Sequence, residues 1–224
     1  LVDHRTYVIA GDGCLMEGIS HETASLAGHL KLSRLTLLFD DNGITIDGPT
    51  SLAVSDDQGA RFAALGWHVQ RIDGHDPEAV ANAIREANGD PRPSMIACQT
   101  TIGYGAPTKQ GTSAAHGAPL GEEEIAAARL VLNWHHPPFQ IPKRVLDRWR
   151  QVGKRGDATQ QAWEARLGAS DQRANFENAI AGLLPTDWAD ALDSFKDTQI
   201  ASGKAVATRK ASELVLEIIN QEIP

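Results

Sequence analysis

The sequence predicts an α/β protein: a doubly wound, mostly parallel sheet followed by connecting helices. Two observations carry this. Short apolar runs of strand length recur at residues 5–10, 35–39, 67–72 and 94–100, and helical stretches alternate with them. The first strand, a helix and the second strand fit within about 35 residues. That is a βαβ unit, which implies parallel strands and a right-handed crossover.

The elements follow in order. Arg5-Thr6-Tyr7-Val8-Ile9-Ala10 reads as a buried strand. Gly11-Asp12-Gly13 is a tight exit, where glycines let the backbone turn and a ligand approach closely. Residues 16–31 read as one helix, with Ile19, Leu26, Ala27 and Leu30 at helical spacing. Leu35-Thr36-Leu37-Leu38-Phe39 is the second strand, and Gly43 to Pro49 is a loop in which Ile44 and Ile46 could form a short strand. A helix over 56–65 and a strand over 67–72 follow. Pro77 opens a clear helix with Ala79, Val80, Ala83, Ile84 and Ala87 on one stripe. Residues 94–100 are the next strand; 103–120 form a long loop, a class that is usually functional or mobile. Residues 122–132 are a helix with an acidic start. Residues 142–184 are mostly helical, 185–205 read as a polar linker, and a last helix starts near Thr208. The expected division is an α/β domain over 1–135, a helical connector and linker over 136–205, and the first helix of a further domain over 206–224.

The βαβ geometry makes a chemical prediction. Asp12 follows the first strand and Asn42 the second, so both belong at the carboxyl edge, where open α/β sheets bind ligands. A carboxylate, an amide oxygen and turn carbonyls form a hard oxygen set, suited to Mg²⁺ or Ca²⁺ and not to zinc. Mg²⁺ commonly takes further ligands from phosphates, and a helix start offers N–H groups to those phosphates. The pattern therefore reads as a metal-bridged diphosphate site. A dinucleotide fingerprint is the rival: Gly11 and Gly13 fit its first two positions and Asp40 or Asp41 could hold a ribose, but Met16 stands where the third glycine belongs.

Gly11-Asp12-Gly13-Cys14-Leu15-Met16-Glu17-Gly18, followed by Asp40-Asp41-Asn42-Gly43-Ile44-Thr45-Ile46-Asp47-Gly48, closely resembles the transketolases and their thiamine-diphosphate signature. Thr100-Thr101-Ile102-Gly103-Tyr104-Gly105, His116-Gly117-Ala118-Pro119-Leu120 and Ala207-Thr208-Arg209-Lys210 agree in the family's order. The resemblance implies the thiamine-diphosphate-binding fold. It implies transfer of a two-carbon ketol group from a ketose phosphate to an aldose phosphate, in the pentose phosphate pathway or the Calvin cycle. Its cofactors would be thiamine diphosphate and Mg²⁺, with Ca²⁺ or Mn²⁺ as substitutes. By resemblance, Gly11, Asp12, Gly13, Asn42 and His116 bind the cofactor, and Asp12, Asn42 and the Ile44 carbonyl hold the metal. His116 is the catalytic candidate; His116 and Arg209 contact the sugar phosphate. Glu17 would lie near a subunit interface, linking two sites of a homodimer. Dihydroxyacetone synthase and phosphoketolase are alternative relatives. The match is to the middle of a transketolase: the chain does not begin with Met, and Leu1 leads almost directly into a strand. A fragment of this kind, lacking the second domain's activating glutamate, is expected to be inactive alone.

Composition narrows the classes. The chain has 224 residues, 42% hydrophobic and 22% charged, as in ordinary globular proteins. A formal charge of -8 argues against general nucleic-acid binding. No apolar run reaches membrane-span length, and there is no signal-peptide pattern. Two cysteines, Cys14 and Cys98, are typical of a reducing cytoplasm, although they could pair. Lys109, in the long loop, reads as solvated, and His68 and His75 as structural or solvent-facing. His135-His136 before two prolines is a weak metal pattern.

Overall fold

A computed structural model describes residues 1–185 and 187–223. It divides into two units, Val2–Pro142 and Lys143–Pro224, with Leu1 grouped in the second.

The first unit is built on four parallel strands in the order β1-β2-β6-β5: β1 (Thr6–Gly11), β2 (Leu35–Asp41), β5 (His68–Asp73) and β6 (Ser94–Gln99). A small hairpin, β3 (Ile44–Thr45) with β4 (Gly48–Pro49), follows β2. The expected parallel α/β sheet is thus present, and the possible short strand at Ile44 is real. From β1 to β2 the chain steps one way across the sheet; from β5 to β6 it steps back. Right-handed crossovers must then put their helices on opposite faces. Two separate cores agree. Ala24 and Ala27 of α2 (Gly18–His29) and Phe62 of α3 (Gln58–Ala64) pack with Leu37, Phe39, Met95 and Ala97. Ala83 and Ala87 of α4 (Pro77–Gly89) pack with Ile96, Cys98 and Leu38. The period of two along β2 and β6 sends alternate residues to the two cores. Met95 and Ile96 are wholly enclosed, and such burial stabilises by roughly 1.5–3 kcal/mol per side chain.

Helix starts follow their capping chemistry. Asp57 accepts the Ala60 N–H at 2.9 Å and Asp76 accepts the Glu78 N–H at 2.9 Å, with Pro77 at the first position of α4. α2 lies close to the chain leaving α3: a Cβ at Gly28 would stand 1.9 Å from the Leu65 carbonyl oxygen. The Trp67 indole donates to the Ala24 carbonyl at 2.9 Å, locking the same contact.

One expected helix is two. α1 (Asp12–Met16) ends at Glu17, whose extended backbone (ψ 138°) also caps the start of α2. The Ser20 hydroxyl takes the Cys14 carbonyl at 2.6 Å, and Arg61 takes that of Leu15 at 3.1 Å, so carbonyls at the end of α1 are satisfied without helix continuation. Glu17 therefore stands at a break, and not in the first turn of a long helix.

α5 (Glu122–Val131) completes the helices of this unit. The second unit holds α6 (Lys143–Gly168), α7 (Arg173–Ile180), α8 (Trp188–Ser202) and α9 (Thr208–Glu222). α8 occupies the stretch read as polar linker. Trp188, Ala191, Leu192, Phe195 and Gln199 are its half-buried residues, at helical spacing, and Gly203 closes it in the left-handed conformation at φ 59°. α9 begins at Thr208, as expected, with Ala207 as its cap.

Candidate functional site

The carboxyl ends of β1, β2 and β6 stand side by side, and each carries a polar residue of the site. Gly11 ends β1 in extended geometry (φ −92°, ψ −178°) and α1 begins at Asp12. Neither Gly11 nor Gly13 has positive φ, so glycine is not needed here to turn the chain. The other expectation, close approach, fits: a Cβ at either position would meet nothing within 4 Å. The open space beside this backbone is room that a ligand could fill. α1 has five residues, so its dipole is much weaker than that of the long helix expected.

Asp12 joins the first two loops. Its Oδ2 accepts the backbone N–H of Asn42 at 3.3 Å and that of Gly43 at 3.0 Å. Burial pushes its pKa up; these two N–H groups pull against that, and the charges of Asp41 and Asp40 add to the rise. Asp41 is also pushed up by burial, against the pull of Arg71. Carboxylates crowded at one sheet edge favour a cation beside them.

Asn42 is held at both ends of its amide. Oδ1 accepts the Ile44 N–H at 3.0 Å, and Nδ2 donates to Asp40 Oδ2 at 3.4 Å. The other Asp40 oxygen accepts the Thr100 hydroxyl from the end of β6. The sequence offers Asp40 only as a ribose acceptor for the rival reading and Thr100 only as part of a matching stretch; the structure shows them bonding each other beside Asn42. Asp40 is engaged inside the protein, which removes it as a free ribose acceptor.

The Ile44 carbonyl is placed by hairpin register. The Thr50 N–H donates to the Gly43 carbonyl at 2.9 Å, so Gly43 and Thr50 form the bonded pair. Ile44, opposite Pro49, falls in the adjacent non-bonded pair, whose N–H and C=O point away from the partner strand. Its carbonyl is left for another partner.

Among the described residues no group of three or more His, Cys, Asp or Glu converges to hold a metal. Asp12, Asn42 and the Ile44 carbonyl supply one carboxylate, one amide oxygen and one peptide oxygen. A hard cation bound to them would take its remaining ligands from water or phosphate, as Mg²⁺ commonly does. A polar cavity of about 150 Å³ beside Asp12, lined by Asp41, Asp57, Gly59 and Arg71 among others, is smaller than the roughly 300–1,000 Å³ of ordinary ligand pockets.

His116 follows a 3-10 turn, Ser113–Ala115, and is exposed; its N–H donates to the Ser113 carbonyl at 3.0 Å. Among the described residues no hydrogen bond joins it to Asp12 or Asn42. Arg209 is an exposed residue in the first turn of α9, in the second unit. Lys109, read as solvated, instead donates to two loop carbonyls, those of Pro119 at 3.2 Å and Leu120 at 2.8 Å. His75 is structural: its Nε2 accepts the Thr101 N–H at 2.9 Å and its ring lies 4.3 Å from that of Tyr104. His135 bonds Asn133 at 2.6 Å, in keeping with a local role. Cys14 and Cys98 are free, one exposed and one buried.

A family model described as the transketolase, thiamine diphosphate binding domain, matches residues 1–184. The chain belongs to this family. A transketolase of Cereibacter sphaeroides is 56% identical over 227 residues, covering 100% of this chain and 34% of that protein. Transketolase 2 of Escherichia coli K12 is 47% identical over 231 residues, with 100% and 34% covered. The solved transketolase of Leishmania mexicana superposes with a TM-score of 0.84 at 37% identity, over 100% of this chain and 33% of that one. The chain thus spans about a third of the length of the curated relatives it matches. Membership in this family overrides the dinucleotide rival. It also supports the thiamine-diphosphate-binding fold expected from the sequence.

Proposed function

We propose that this chain is the diphosphate- and metal-holding part of a transketolase. The longer parent would move a two-carbon ketol group from a ketose phosphate to an aldose phosphate. The observation that carries the proposal is the Asp12–Asn42–Ile44 arrangement at one sheet edge: oxygens of the kinds Mg²⁺ prefers, on a segment whose Asn42, Gly43 and Ile44 N–H groups donate to the Asp12 carboxylate and the Asn42 amide oxygen, beside open backbone at Gly11 and Gly13.

Thiamine diphosphate, when bound, supplies the electron sink for breaking and making the carbon–carbon bond. The chain's own residues hold and orient. Asp12, Asn42 and the Ile44 carbonyl would grip Mg²⁺, or Ca²⁺ or Mn²⁺ in its place. The N–H groups at Gly11 and Gly13 would face the diphosphate oxygens. His116 would donate a hydrogen bond to the diphosphate and to the donor sugar, and Arg209 would hold the sugar phosphate. Glu17, at the α1–α2 break, would lie at the interface of a homodimer. Exposed Ile19 (68%) and Leu26 (58%) of α2 are apolar surface that association would cover; β1, read as a buried strand, is instead the sheet edge and is exposed from Thr6 to Ile9. No helix among the described residues is long and apolar enough to cross a membrane, and the proposed setting is the cytoplasm. Dihydroxyacetone synthase or phosphoketolase chemistry would use the same half-site.

The test uses the full-length parent in a thermal-shift assay. Thiamine diphosphate with Mg²⁺ should raise the Tm strongly and NAD should not. Xylulose 5-phosphate and ribose 5-phosphate should then react, while residues 1–224 alone should show little transfer. A shift with NAD and none with thiamine diphosphate would overturn the assignment.

A further inference from the structure

The chain from Gly103 to Leu120 is too long to hold one shape without internal ties. Its first part is tied locally: the Gly111 N–H donates to the Ile102 carbonyl at 2.8 Å and the Gly105 N–H to Gln110 Oε1 at 3.1 Å. Side chains at residues 108 and 109 tie it further on. Thr108 is fixed to α5: its N–H lies 3.2 Å from each oxygen of the Glu124 carboxylate, and its hydroxyl donates to the same group. Glu124 is buried in the first turn of α5, and the Thr108 hydroxyl holds its pKa below the usual carboxylate range. Lys109 is half-buried. Its ammonium donates to the carbonyls of Pro119 and Leu120, ten and eleven residues on, at 3.2 and 2.8 Å. The Thr112 hydroxyl donates to the Lys109 carbonyl at 2.8 Å, tightening the same end. Lys109 therefore closes a ring of backbone, and His116 lies inside it. Beyond Thr112, the hydrogen bonds inside the ring among the described residues are those of the 3-10 turn at Ser113–Ala115, which ends at His116. Charge-assisted bonds to two carbonyls are among the stronger ties available to a loop.

Resting on the reading of His116 as a contact to the diphosphate and donor sugar, we propose that Lys109 is a positioning residue for His116. It fixes the shape of the ring before ligand arrives, so that ordering the imidazole is not charged to binding. Glu124 fixes where that ring stands on the domain.

The experiment compares Lys109→Met, Lys109→Arg, His116→Ala and the Lys109→Met/His116→Ala double variant in the full-length parent. It reads amide exchange in cofactor-free protein, thiamine diphosphate affinity with Mg²⁺, and steady-state kinetics with xylulose 5-phosphate. Lys109→Met should speed exchange over residues 112–118 while leaving α4 unchanged. It should raise the donor KM about fivefold to tenfold with a smaller change in kcat. Lys109→Arg, which can also donate to two carbonyls, should restore most of both. In the His116→Ala background, Lys109→Met should have little further effect on KM, because it acts through a side chain no longer there. Wild-type exchange and KM in Lys109→Met, or full additivity in the double variant, would overturn the proposal. So would no rescue by arginine, or an equal rise in exchange over α4. His116→Ala with wild-type affinity and KM would instead remove the ligand role of His116 itself.

Discussion

Gly43 donates its backbone N–H to the Asp12 carboxylate across 3.0 Å of space and 31 residues of sequence. The bond ties the loop after β1 to the loop after β2, so the acid and the amide of the site keep a fixed spacing. Gly43 sits at φ +70°, where an L side chain is strained, and that conformation turns the chain from β2 into the β3–β4 hairpin. Asp12, Asn42 and the Ile44 carbonyl are thus set by one short backbone segment and one carboxylate.

Asp12→Asn should separate stability from ligand binding. The ionised carboxylate is held against burial and against Asp40 and Asp41, so its pKa is raised in the folded state. A raised acid pKa means that the charged form costs stability at pH above it. Removing the charge should raise the Tm of the ligand-free parent at neutral pH by on the order of a few degrees. That gain should fade as the pH falls through the raised pKa, where wild-type Asp12 is itself protonated. The Tm increase on adding thiamine diphosphate with Mg²⁺ should disappear. An undiminished ligand-induced shift in the variant would show that Asp12 does not hold the metal.

Two glycine-to-alanine changes should behave oppositely. At Gly28 the new Cβ would stand 1.9 Å from the Leu65 carbonyl oxygen, on rigid backbone. Gly28→Ala must push α2 away from the chain leaving α3 and should lower stability by about 1–3 kcal/mol or more. At Gly13 the new Cβ meets nothing within 4 Å, so Gly13→Ala should melt near the wild-type temperature. It should nevertheless weaken thiamine diphosphate, because the methyl group projects into the open space beside the backbone. Calorimetry with and without ligand checks both, and a Gly13→Ala protein with unchanged affinity would mean that no ligand comes close there.

Those contrasts bear on what the sequence could reveal. Strand lengths, the glycine at the strand exit and the polar residues after β1 and β2 are local signals, so the sheet and the pairing of Asp12 with Asn42 were legible. The break at Glu17 was not, because apolar spacing continues across it and the groups that replace the helix bonds come from Ser20 and distant Arg61. Asp40, Lys109 and Glu124 were illegible for the same physical reason: their hydrogen bonds are tertiary, and no spacing announces them. α8 was legible and missed. Trp188, Ala191, Leu192 and Phe195 keep helical spacing, but the many Asp, Ser, Thr and Gln around them suggested linker.

Asp90, at the end of α4, should give the fold an acid-sensitive component. The Arg92 side chain first, then its backbone N–H and the neighbouring His68, lower its pKa from 3.8 to about 2. A lowered acid pKa adds stability that is full above the unfolded value and is lost as pH falls through the folded one. Arg92 is half exposed, so water screens the pair and its effect should be modest. Asp90→Asn should melt lower than wild type at pH 5–6, by roughly a degree or two. The gap should close between about pH 4 and pH 2, where wild-type Asp90 also becomes neutral. A gap that is constant across this range would assign the difference to packing and not to the carboxylate charge.

Arg209→Ala tests the proposed phosphate contact. α9 starts at Thr208 with no side-chain cap, so its first N–H groups have no capping partner from Ala207. Lys210 is paired with Glu213 at 2.6 Å, whereas among the described residues no carboxylate lies within 4 Å of the Arg209 guanidinium. A cation in the first turn opposes the helix dipole. An anion there reverses the balance, since uncapped N–H groups and a guanidinium fork both suit phosphate. Arg209→Ala in the full-length parent should therefore raise KM for xylulose 5-phosphate and ribose 5-phosphate by roughly tenfold or more, as charge-assisted contacts contribute about 1.5–3 kcal/mol. Hydroxypyruvate, a donor without phosphate, should be much less affected. Arg209→Lys should recover part of the loss, because it restores the charge but not the fork. Equal losses on phosphorylated and unphosphorylated donors would mean that Arg209 supports the fold or the cofactor and does not read the phosphate.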